Sequence, residues 1–220
     1  MRNTIVLLFL ILHTVSFGQS FKGYVFLGAS TSQVAGDALS GFNKAGIDVG
    51  GGVFTVITRN HKSMIGMEIG YIQKGSRRPT NVDSGDFSTY ILRLNYIEIP
   101  LYYKYVITSR FHVYAGGSVG VLTSSYEERD GNVFIRRSKA LYNDVVLFNK
   151  FDLSVIGGME YIFSEEWRLN FRGMQSITPA RDFGGRIPYT AYHNGQYNNV
   201  LAFTINYIFK TKRINGKEEE

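Results

Sequence analysis

The 220-residue sequence contains no cysteine. Disulfides, thiolate metal ligands and lipid attachment through a cysteine are therefore excluded. Proline is scarce, at four residues, so little interrupts strand pairing. Beyond residue 20 no stretch is apolar for 18 residues, which rules out a bilayer-spanning helix. Histidine is limited to His13, His61, His112 and His193. No two of them have metal-ligand spacing, and no Ser/His/Asp grouping emerges. Asp182 with His193 is the one pair that a catalytic site on a rim could use. No Lys-Ser/Thr follows Gly50-Gly51-Gly52, so that glycine run is not a phosphate loop. The expectation is a protein that is not an enzyme and uses no cofactor and no metal.

What the chain does have is alternation. From Phe203 every second residue is large and apolar: Phe203, Ile205, Tyr207, Phe209. Thr204 and Asn206 lie between them, and a period of two means a strand with unlike media on its two faces. An aromatic last residue, with Tyr two positions earlier, resembles the terminal-strand signal of bacterial outer-membrane barrels. Phe203, Ile205, Tyr207 and Phe209 are thus candidates for an assembly signal read by the barrel-assembly machinery. In such a barrel apolar side chains meet lipid and polar ones fill the lumen.

Eight segments suit strands: 21–29, 45–58, 63–74, 89–106, 111–124, 150–163, 167–177 and 197–209. Most match the ~9–11 residues that cross a bilayer at a tilt. The connections alternate. Three are short (59–62, 107–110, 164–166), and four are long (30–44, 75–88, 125–149, 178–196). Short periplasmic turns opposite long outer loops are the outer-membrane arrangement. The expected fold is all-β: an eight-stranded antiparallel up-and-down transmembrane β-barrel.

Parity assigns the faces. Ile65, Met67, Ile69 and Tyr71 oppose Gly66, Glu68 and Gly70; Trp167, Leu169 and Phe171 oppose Arg168, Asn170 and Arg172. Glu98 and Lys104 share one parity, whereas Arg93 and Asn95 take the other, so a bulge near Tyr96-Ile97 is expected to restore a polar interior. The inferred lumen network holds Glu68, Glu98 and Glu160 against Lys104, Arg168 and Arg172. Three acids against three bases make burial tolerable. An eight-stranded barrel is just wide enough for its own side chains to fill, so a plugged lumen without a continuous pore is expected.

Residues 1–18 read as a signal peptide, with Arg2 before the apolar core Ile5–Leu12 and small residues ahead of Gln19. Residues 19–209 form the barrel, and 210–220, with mixed charge, a disordered periplasmic tail. Net charge is +6. Export makes nucleic acid an implausible partner; outer-membrane lipid and lipopolysaccharide fit better. Arg77, Arg78, Arg136 and Arg137 in the long loops are candidate lipopolysaccharide contacts, because arginine pairs bidentately with phosphate.

Four motifs add to this. The run Gly28–Asp37 resembles the G-x-x-x-S-x-x-x-G-D opening of PorT-like outer-membrane barrels of Bacteroidetes. Glu68–Gly75 is similar to that family's E-x-G-Y-x-x-K-G, Tyr96–Leu101 to its Y-L-E-I-P, and Ala115–Gly120 to its A-G-x-x-x-G. The resemblance implies a small porin-like barrel with a structural or interaction role in the envelope, accessory to type IX secretion in one class of members. A narrow channel or a small-ligand-binding barrel is the alternative.

Overall fold

A computed structural model describes residues 21–37, 39, 41–80, 85–142, 145–182 and 195–210. The expected leader, the tail beyond Lys210 and His193 lie outside these residues.

Among the described residues ten strands follow one another: β1 (Lys22–Ala35), β2 (Lys44–Val56), β3 (Ser63–Arg78), β4 (Tyr90–Val106), β5 (Phe111–Arg129), β6 (Asn132–Arg136), β7 (Lys139–Ala140), β8 (Phe151–Ile162), β9 (Trp167–Ser176) and β10 (Tyr197–Ile208). Eight of them close a barrel. Each pairs antiparallel with its sequence neighbour, β5 pairs with β8, and β10 returns to β1 from Tyr24↔Ile208 to Ala35↔Tyr197. At the lower end the Phe209 amide donates to the Gly23 carbonyl at 2.9 Å. Closure removes every edge among the eight, the condition for strands in hydrocarbon.

The wall is inside out. Leu27 and Ile69 are 62% and 60% exposed, whereas Lys74 and Glu160 are 0% and 1% exposed. Outward residues on β4 from Tyr105 to Ile97 are large and apolar. Eight residue steps at ~3.3 Å, tilted ~40°, give a band about 20 Å tall. That matches lipid and no soluble core.

Inward glycines let the interior close on its aromatics. A Cβ on Gly66 would lie 2.4 Å from the Tyr102 ring, and one on Gly158 would lie 2.5 Å from that of Tyr114. Gly50 and Gly70 similarly leave room for Phe26.

Three expectations need correction. Arg93 and Asn95 do not belong to a second phase: β4 keeps its even residues inward throughout, so Arg93 stays exposed and Leu92 and Leu94 are buried. The medium changes instead of the phase. Below Tyr96 the outside is hydrocarbon; above it the outside is polar, and apolar residues turn inward as in a soluble protein. A register shift does fall between Asn95 and Tyr96, but the extra residue is Thr123 on β5, since Asn95 pairs Ser124 and Tyr96 pairs Leu122. Second, β1 and β3 run on past Ala29 and Lys74, through Ala35 and Arg78, so the loops after them are shorter than expected. Third, residues 125–149 are not one loop. β5 continues to Arg129 and turns through Asp130-Gly131, both at positive φ (49° and 78°), into β6. Arg137 and Ser138, also at positive φ (49° and 60°), turn β6 into β7. Such two-residue turns match the twist of paired strands.

Candidate functional site

The interior is built in layers from residues of the same parity on successive strands. Lowest, Glu160 of β8 is shared. Its Oε2 lies 2.8 Å from Lys104 Nζ, and its Oε1 lies 2.8 Å from Arg168 Nη1 and 3.4 Å from His112 Nδ1. The Phe54 ring lies beneath both cations, 5.4 Å from Lys104 and 5.1 Å from Arg168. Tyr24, Phe26, Phe54, Met64 and Ile208 form an apolar cluster in this lower part.

In the middle layer Arg172 Nη2 donates to Glu68 Oε2 at 2.6 Å, and Arg172 Nε donates to the Tyr114 hydroxyl at 3.1 Å. Tyr114 in turn donates to Asn170 Oδ1 at 2.7 Å. Tyr24 donates to the other Glu68 oxygen and lies 2.8 Å from the Tyr102 hydroxyl. The upper layer centres on Lys74, whose Nζ is 2.6 Å from Glu98 Oε1 and 2.9 Å from Asp152 Oδ2. Ser118 donates to Glu98, and Asn198 donates to Asp152 at 3.0 Å.

All six expected lumen charges thus point inward and are paired, but they do not form one network. Glu98 and Lys104 have different partners. Lys74 and Asp48 were missed, and Asp152, inward by parity, was not counted in the network. Their inward parity was visible, but a pair such as Lys74 and Asp152, 78 positions apart, carries no local signal. Asp48 stands apart: it is buried, forms no ion pair among the described residues, and its Oδ2 has no hydrogen-bond partner. Beside it is a cavity of about 10 Å³, lined also by Glu98 and Arg172, room for about one water.

Above the charges the barrel is capped. Val34, Leu92, Leu94, Val200 and Met174 from the wall meet Ile135 of β6 and Phe148 and Ala180 of the connections. The Arg181 guanidinium lies 3.8 Å from the centre of the Phe148 ring and pairs with Glu127, which also accepts a 2.9 Å bond from Tyr90.

The remaining candidates are on the outside. Phe203, Ile205 and Phe209 are exposed on the lipid-facing wall, and the Tyr207 ring lies 5.0 Å from that of Trp167 and 5.9 Å from that of Phe209. Arg77 and Arg78 end β3, and Arg78 is paired with Asp86. Arg136 ends β6 and Arg137 opens the turn after it. With β4 and β5 between them, the two arginine pairs lie three strands, about 14 Å, apart. Asp182 is described, but its proposed partner His193 is not.

Comparison with solved structures finds the same architecture. Neisserial surface protein A superposes with a TM-score of 0.54 over 88% of this chain and 100% of that one, at 13% identity. Ail, the attachment invasion locus protein of Yersinia pestis, gives a TM-score of 0.49 over 86% and 99%, at 9% identity. No curated protein sequence matches the chain. The model of the family described as outer membrane protein beta-barrel domain matches residues 14–181. The chain belongs to that family of outer-membrane β-barrels, and it is a closed eight-stranded barrel of the cell outer membrane.

Proposed function

We propose that this barrel is plugged and that its role is structural or interactive, not catalytic: a rigid cylinder that presents its upper strands and loops outside the cell. The observation that carries the reading is the stack of three buried ion-pair layers beneath an apolar cap. Moving an ion through it would require breaking pairs whose separated charges are costly to bury. The test is conductance of the purified full chain in planar bilayers. No stable unitary conductance is expected; steady ohmic steps would favour the narrow-channel alternative and defeat this reading.

Three finer assignments belong to the same proposal. The aromatic end of β10 serves as the signal for the barrel-assembly machinery, and Phe209→Gln should lower the inserted fraction in cells; normal insertion would remove this role. The resemblance of its motifs to PorT-like barrels supports an accessory part in type IX secretion in Bacteroidetes. A deletion strain that exports type IX cargo at the normal level would end that assignment. The partner on the outer surface is lipopolysaccharide, held by basic residues of the upper strands.

A further inference from the structure

The outer wall above the apolar band changes chemistry in ordered rows. The last apolar row runs across three strands as Tyr71↔Ile97↔Val121. Two residues higher the row is Gln73↔Asn95↔Ser124, amides and a hydroxyl, with Asn95 donating to Ser124 at 2.7 Å. Two residues higher again, one continuous row crosses β4 to β7: Arg93↔Tyr126↔Arg136↔Lys139. Arg93, Arg136 and Lys139 are exposed, and none forms an ion pair with a carboxylate among the described residues. The acid closest in register is Glu128, which already accepts a hydrogen bond from Tyr126. The Tyr126 ring lies under Arg93, 5.6 Å from its guanidinium carbon.

We propose that this row docks the phosphate of an anionic lipid of the outer leaflet. Ile97 to Arg93 is four residues, about 10 Å along the membrane normal at strand tilt. Headgroups extend about 5–8 Å beyond the hydrocarbon on each side, and arginine reaches down several ångströms on its apolar stem. The sequence of acyl-compatible, hydrogen-bonding and cationic rows therefore matches a phosphorylated glycolipid from chain to headgroup. Arg93 and Arg136, two strands or about 10 Å apart, converge on one phosphate with Lys139 beside them.

The proposal rests on the lipopolysaccharide reading above but moves the site. Arg78 is engaged by Asp86, and Arg77 projects from β3 two residues above the row. The full chain, refolded in phosphatidylcholine nanodiscs, is titrated with purified lipopolysaccharide and with the same material after phosphatase treatment; binding is read from the thermal unfolding midpoint. Wild type is expected to respond to the phosphorylated form only. R93Q/R136Q/K139Q should bind at least tenfold more weakly, R93K/R136K should retain binding, and R77Q/R78Q should match wild type. The single exchanges R93Q and R136Q, each expected to weaken binding several-fold, carry the test if the triple variant does not refold. An equal response to both lipid forms, or a row variant that binds like wild type, overturns the proposal. Loss of binding in R77Q/R78Q alone would overturn the row but leave the lipopolysaccharide reading standing. No response in wild type would end both.

Discussion

Glu160→Gln removes the one carboxylate that pairs with Lys104 and Arg168 among the described residues. Glutamine keeps the shape and some hydrogen bonding but not the charge. Taking one partner from a buried pair costs about 3–5 kcal/mol, because the charge left behind stays desolvated. Here two cations are stranded in one layer. The loss should therefore sit near the upper end, about 5 kcal/mol. The assay is equilibrium guanidinium unfolding from phospholipid vesicles, followed by fluorescence. Trp167 is the only tryptophan, and it lies outward, 44% exposed, on the lower edge of the wall, where unfolding moves it from lipid to water. Adding Lys104→Met to Glu160→Gln should recover part of the loss by removing one stranded charge. A loss below about 1 kcal/mol would refute the reasoning, because it would mean that these groups are solvated and the lumen is wet.

Asp48→Asn should be neutral or stabilising, within about 1 kcal/mol, because its carboxylate forms no ion pair among the described residues; Glu68→Gln in the same assay should lose about 3–5 kcal/mol. A large loss at Asp48 would show an unrecognised partner. Ile205→Arg, midway up the apolar face of β10, should cost about 2–4 kcal/mol of folding stability in lipid, and more than Thr204→Arg on the inward face costs in the same measurement. Equal effects would reverse the facing. At the lower end the Lys210 ammonium, 2.7 Å away, holds the Glu166 carboxyl below its usual range. The pair contributes above the unfolded value near 4.5 and is lost as pH falls through the lower folded value. Glu166→Gln should flatten only that acidic part of a stability–pH profile, and an unchanged profile would mean that the pair contributes nothing.

Strand alternation by itself determined the architecture: eight segments, their order, and which side of each faces outward. It did so because lipid and lumen impose opposite polarity at every second residue, a signal written within ten residues of chain. Parity also placed Glu68, Glu98, Lys104, Glu160, Arg168 and Arg172 inside. Tertiary structure decided the rest. Lys74 meets Glu98 and Asp152 only because closure brings β3, β4 and β8 around one axis. The turn at Asp130-Gly131 had a signal, yet β6 and β7 beyond it are short, and Ile135 is buried only because the barrel mouth lies beneath it. Leu92 and Leu94 looked like a break in phase, since alternation records polarity and not which medium lies outside. Only the height of each residue relative to the lipid, set by register and closure, shows that the same face of β4 meets acyl chains at Ile97 and polar surroundings at Arg93.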